Sequence, residues 1–249
     1  MAGYRRGLRL PGSVVAVAGA PEVVGGPVGG AVAAALTAAG ARPVLLDAVD
    51  PADGDAVRVA ARTVVDRWGR LDGWVHCAGS AASGRLLDLP PDEIRRVLDV
   101  DLLGAVHGAR AALPHMLARG SGVLVVVASL HGQVARPYGA PQGMAAAGVR
   151  VLAAALRQEL RLDGVRGVAV TTVLAPEPDL PWPAFLRGRP ERVAATVVAQ
   201  LRRPRLEKVA GGPLTKALVH GHALVPAATE WFVAASTRDA SHTAVGKPR

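Results

Sequence analysis

Six short apolar runs recur along this chain, separated by longer stretches in which apolar residues return at helical spacing. The runs at 14–18 (VVAVA), 44–46, 73–77, 123–127 (VLVVV) and 168–173, with a weaker one at 207–210, are too short and too β-branched for helices. They predict strands buried on both faces, since such strands need no polar residue at alternate positions. Helices are predicted at 28–39, 55–68, 91–119, 142–162 and 190–201. Pro91 suits a helical first turn, and Pro114 inside the long helix predicts a kink. Strands and helices that alternate from end to end predict an α/β fold with one parallel sheet covered on both faces.

Composition narrows the picture. With 249 residues, half of them hydrophobic, the chain suits one domain over 1–235; the polar stretch 236–249 is expected to be a flexible tail. A single cysteine, Cys77, excludes a disulfide framework and fits a reducing compartment. Tyr4-Arg5-Arg6 and Ala18-Gly19-Ala20 imitate a twin-arginine export signal, but the apolar run between them is short and cleavage would remove the first strand. A cytoplasmic location is therefore expected. No run reaches the about 20 apolar residues of a transmembrane helix. The net charge is +9 and only Lys208, Lys216 and Lys247 among the 29 basic residues are lysines. The densest cluster, Arg187 through Lys208, reads as a solvated helix face. Aromatic residues make up only 3%, which argues against base stacking and hence against nucleic acid as a partner.

A glycine-rich loop separates the first strand from the first helix, with Gly19, Gly25, Gly26, Gly29 and Gly30. Such a turn lets backbone amides approach a pyrophosphate at the positive end of a helix, the mark of a doubly wound Rossmann-type sheet. Asp47 ends the second strand, where a carboxylate accepts hydrogen bonds from an adenine ribose and repels a 2′-phosphate. A bound cofactor would thus be NAD rather than NADP; a turn cap is the other reading of Asp47.

The segment GVLVVVASLHGQVARPYGAPQGMAAAG, residues 122–148, resembles the active-site segment of the short-chain dehydrogenase/reductase family. The phrases Arg96-Val-Leu-Asp-Val100, Asp99-Val-Asp-Leu-Leu-Gly104 and Ala111-Ala-Leu-Pro-His-Met116 resemble the family's long helix. The resemblance implies a serine holding the substrate carbonyl, here Ser129, then a proton-donating tyrosine and a lysine that lowers the tyrosine's pKa and holds the cofactor ribose. Thirteen positions past Ser129 stands Gln142, and four further stands Ala146. Other departures run in parallel. The glycine loop is lengthened by about four residues and carries Glu22. The family's Asn-Asn-Ala-Gly is His76-Cys77-Ala78-Gly79, its helix asparagine is Asp101, and its Pro-Gly after the sixth strand is Pro176-Glu177. Only 23 residues separate Asp47 from Leu71, room for one helix but not for the family's third strand. The sheet is expected to lack that edge strand and the adenine pocket to be open on one side.

The residues left for chemistry are Ser129, His131, Tyr138 and Asp101, with Gly19, Gly25, Gly29, Asp47, Ala78 and Gly79 for a dinucleotide. Asp101, His76 and Cys77 are expected to face one cleft. A serine hydrolase is disfavoured because Ser129 and His131 are two apart and no Gly-x-Ser-x-Gly elbow exists. Metal binding by His76, Cys77 and His131 lacks any paired motif. Three functions stay open: a binding or regulatory subunit without Tyr/Lys-dependent hydride transfer, an NAD(P)-dependent oxidoreductase with a rearranged site, and a non-redox isomerase or cyclase in the same cleft. A small-molecule ligand in the cleft and a homo-oligomer built on the helices flanking the site strand are expected. The apolar stretch from Leu214 to Ala235 is expected to cap the cleft, with a membrane surface or a partner as the alternative.

Overall fold

The computed structural model describes residues 7–19, 26–77, 79–80, 82–176 and 187–244, with side chains to 235. Its elements are β1 (Val14–Ala18), α1 (Gly26–Ala38), β2 (Arg42–Leu45), α2 (Gly54–Trp68), β3 (Gly73–His76), α3 (Pro91–Val97), α4 (Gly104–Arg119), β4 (Gly122–Ser129), α5 (Ala140–Leu162), β5 (Val168–Ala175), α6 (Pro190–Arg202), β6 (Glu207–Val209), α7 (Pro213–Leu224) and α8 (Pro226–Ala244). The strands form one parallel sheet in the order β2-β1-β3-β4-β5-β6. This is the α/β doubly wound architecture expected from the pattern. Among the described residues no strand lies outside β2, and α2 alone returns the chain to β3.

Alternation along β1 divides the core. Val14, Ala16 and Ala18 join Trp74, Leu124 and Val126 on the α2, α4 and α5 face. Val15 and Val17 join Val75, Val123 and Val125 under α1 and α6. Both sets are buried, which is why the strands read as unbroken apolar runs. The largest buried side chain, Trp74, packs under α4, where Gly108 permits the approach: a Cβ there would stand 2.7 Å from Trp74 Nε1.

Local chemistry sets the ends of α2. The Asp53 carboxylate accepts from the amides of Asp55 and Ala56 at 3.0 Å each, and Gly69 closes the helix in the left-handed region at φ +67°.

One feature differs from the sequence-based expectation: the long helix is interrupted at Leu98–Leu103, which forms a wider π turn, and Pro114 lies inside the helix that follows. On the side of β2, a Cβ on Gly104 would meet Pro51 Cβ at 2.8 Å, so the turn after β2 packs onto α4. α8 runs as helix to Ala244, and residues 245–249 lie outside the described ones.

At the edge of the sheet remote from the loops that follow the strands, Asp72 binds three elements. Its carboxylate accepts from the Val14 amide (2.8 Å) and from Arg70 Nε and Nη2 (2.7 Å each), and Arg119 Nη1 lies 3.3 Å away. Asp72 is 3% exposed, so its charge is compensated by these donors and not by water. Replacing it by alanine leaves the Val14 amide buried without its acceptor. Asp72→Ala is expected to cost about 3 kcal/mol, read as a lower urea midpoint at unchanged slope.

Candidate functional site

In a parallel sheet the loops beyond the carboxyl ends of the strands carry function. Here these are the segments after β1, β3 and β4. Ser129 closes β4, and its hydroxyl accepts from the His131 amide at 3.1 Å, capping a single tight turn at Leu130–Gly132. The His131 ring is buried, and Arg136 Nε donates to its Nδ1 at 3.3 Å.

This tight turn lies directly on α5. A Cβ on Gly132 would stand 2.6 Å from the carbonyl carbon of Ala146 and the nitrogen of Ala147, and one on Gly143 would stand 3.3 Å from the His131 carbonyl oxygen. Small residues on both surfaces permit the contact. Gln142 and Ala146 are both buried, Ala146 directly beneath Gly132, and Gln142 Oε1 has no hydrogen-bond partner among the described residues. One turn beyond Ala146, Arg150 donates to the Gly132 carbonyl (3.1 Å) and pairs with both oxygens of Glu207 on β6 (2.8 and 3.2 Å). The Arg150 cation is thus engaged by a carboxylate.

A second group closes the other side. Asp101, in the π turn, accepts from the Ser80 amide (2.6 Å) and hydroxyl (2.9 Å). The Tyr138 carbonyl accepts from the Gly84 amide (3.0 Å) and the Ser83 hydroxyl (3.1 Å), joining the segment after β3 to the segment after β4. Tyr138 holds φ +63°, uncommon for a residue with a Cβ, and its side chain is 41% exposed. Asp101, Tyr138, Ser129 and His131 therefore sit on adjoining segments at one edge of the sheet.

His76 and Cys77 do not share a cleft with Asp101, contrary to expectation. Successive residues on a strand face opposite sides. His76 points into a small cavity with Leu46, Val49, Pro51, Val57, Trp74 and Gly104. Cys77 points to the other core, and its thiol donates to the Ala18 carbonyl at 3.2 Å. Burial pushes the Cys77 thiol up to about 12, so it stays protonated and unreactive. Burial, with a smaller contribution from His107, pushes His76 down to about 4, and neither ring nitrogen has a partner among the described residues. Among those residues no three His, Cys, Asp or Glu side chains sit together as a metal site.

Of the residues expected at a dinucleotide, Gly19 holds φ +97° at the end of β1 and Asp47 is exposed just past β2. Gly79 borders open space, Gly29 lies in α1, and Gly25, Ala78, Glu22 and Glu177 fall outside the described residues. Sequence reasoning placed Arg136 beside Ser129, His131 and Tyr138 just past the site strand, and missed Ser80 and Arg150. The signal for Arg150 was its spacing, four residues after Ala146 on one helix face; Ser80 carried none.

The family model for short chain dehydrogenase matches residues 18–176. The chain is 34% identical over 198 residues to the cis-4-hydroxycyclohexanecarboxylate dehydrogenase of Sinomonas cyclohexanicum, covering 78% of this chain and 77% of that one. It is 37% identical over 114 residues to the SadH protein of Mycobacterium tuberculosis, 46% of this chain but only 41% of that protein's length. The crystal structure of a short-chain dehydrogenase from Streptomyces avermitilis superimposes with a TM-score of 0.73 at 24% identity, covering 94% of this chain and 98% of that one, a likeness of fold.

Two outcomes test this packing. Gly132→Ala forces a methyl into the α5 backbone and is expected to destabilise by about 2 kcal/mol, measured by chemical denaturation. The unfolded His76 imidazole takes a proton near 6.5, whereas the folded one stays neutral down to about 4. The unfolded chain then binds more protons between those values, so stability falls as pH drops through that window, by up to about 3 kcal/mol. His76→Asn is expected to flatten this part of the stability–pH curve.

Proposed function

We propose that this chain, which belongs to the short-chain dehydrogenase/reductase family, serves as a ligand-binding or regulatory subunit without Tyr/Lys-dependent hydride transfer. One observation carries the reading: at Gln142 and Ala146 the site helix is buried under the Leu130–Gly132 turn, in contact through Gly132. The family's chemistry needs a phenol with a nearby ammonium, so that the phenol's pKa falls toward the working pH. An amide and a methyl supply neither.

The cofactor site fits a dinucleotide at one end only. Gly19 in the left-handed region, the start of α1 and the exposed Asp47 suit the adenosine half of NAD. Ribose binding at the nicotinamide half loses its lysine at Ala146. A bound nicotinamide supplies hydride chemistry, yet no residue at 142 or 146 can move the accompanying proton. In this reading Asp101 and Ser80 brace the cleft wall, Ser129 and Arg136 fix the turn and His131, and the cleft takes a small-molecule ligand. Assembly with a second copy would use α4 and α5, which expose Leu117, Met144 and Val151.

A second reading, an oxidoreductase with a rearranged site, is favoured by Tyr138. Its backbone is held in an uncommon conformation by two hydrogen bonds while its ring remains accessible. Non-redox use of the cleft, as in an isomerase or cyclase, has no comparable support from a positioned group.

The two readings part in one experiment. The purified chain is titrated with NADH and NADPH by thermal shift and then assayed for their oxidation with a panel of carbonyl compounds. The expected result is no turnover in the wild type, with or without dinucleotide binding. Turnover that Tyr138→Phe abolishes would overturn the first reading in favour of the second.

A further inference from the structure

From Lys208 to Thr229 the chain contains no acidic residue, within a protein of net charge +9. This stretch forms β6, α7 and the turn into α8. One side of α7 faces the protein: Thr215 and Val219 are buried, Leu218 packs on the core, and the Val219 carbonyl accepts from Gln133 Nε2 at 3.3 Å.

The other side is uncovered. Leu214, Ala217, Gly221 and Leu224 recur at spacings of three and four and so form one stripe along the helix. Leu214 is 58% and Leu224 82% exposed. Beside this stripe the exposed Lys216 and His220 form a second one. The apolar surface continues round the turn through Val225, Pro226, Ala227 and Ala228, all exposed, to Trp231, which is 71% exposed. The hairpin is pinned at its corner, where His222 Nδ1 lies 2.6 Å from Thr229 Oγ1 and that hydroxyl donates to the Pro226 carbonyl at 2.8 Å. At the start of α7 the Arg192 guanidinium comes within 3.3 Å of where a Cβ on Gly212 would stand.

We propose that the outer face of α7 and the first turns of α8 dock on an anionic lipid bilayer surface. The occupant follows from charge and shape. A second copy would set the exposed cations Lys216 and Arg192 against their own like charges, with Glu230 the one carboxylate in the first turns of α8 to offset them. An anionic headgroup layer attracts the same cations, and its interface accommodates leucine, valine and an amphipathic tryptophan ring without a shaped pocket. No described helix is long and apolar enough to cross a membrane, so the hairpin lies along the surface.

The test is cosedimentation of the full chain with vesicles of phosphatidylcholine alone and of phosphatidylcholine mixed with phosphatidylglycerol. Binding is expected to the mixed vesicles, to weaken as salt is raised, and to fall about fivefold or more in Lys216→Glu. The double substitution Leu224→Glu, Val225→Glu changes two exposed side chains and is expected to abolish binding at an unchanged melting temperature. No binding to mixed vesicles, equal binding to both compositions, or binding unaffected by the double substitution would each overturn the proposal. So would a wild-type dimer that ignores vesicles and becomes a monomer in the double variant, since the face would then belong to a second copy.

Discussion

The position of every loop at the site depends on the register of β1 against β3, and a single buried carboxylate holds that register. Asp72 accepts from the Val14 amide across the strand pair while Arg70 and Arg119 compensate its charge. With Val15 opposite Gly73, Ala18 ends level with His76. The same edge of the sheet then presents Gly19, Ser80 and, two strands on from β1, Ser129. A slip of one residue would turn Trp74 and Val75 to the wrong cores, so the clamp at one edge governs the geometry at the other.

What stands at that edge is a close-packed junction of small residues. Gly132, Gly143 and Ala146 allow the turn after β4 to settle onto α5, and Arg150 ties it down through the Gly132 carbonyl and Glu207. Close packing of this kind leaves little room for larger side chains at Gly132. On the side of β2, α2 packs on α4 and the turn carrying Pro51 lies beside Gly104 and His76. The neutral, unpartnered His76 ring is tolerated because the cavity around it is apolar and its pKa has fallen below the physiological range.

The architecture is legible in the chain because a two-sided sheet writes itself as apolar runs, and five of the six strands start within a residue of where those runs begin. The lost edge strand is legible too, from 23 residues that hold one helix and no more. The break in the long helix at Leu98–Leu103 is not, since proline has a local signature whereas a π turn arises from packing against α5, where Gly148 admits Leu102. Nor is the divergence of His76 from Cys77 a matter of motif reading: adjacency in a motif suggests a shared cleft, and strand alternation sends the imidazole and the thiol to opposite cores.

The sequence by itself therefore determined the α/β class, the strand and helix inventory, and the substitutions at 142 and 146, because each is recorded in local pattern or spacing. Only the tertiary structure decided what those substitutions mean in space. The contact of Gly132 with Ala146, the Ser80–Asp101 bond and the salt link from Arg150 to Glu207 join positions 14, 21 and 57 residues apart. Which of many small or charged residues meet at such separations is set by how the helices pack on the sheet, and no local pattern encodes it.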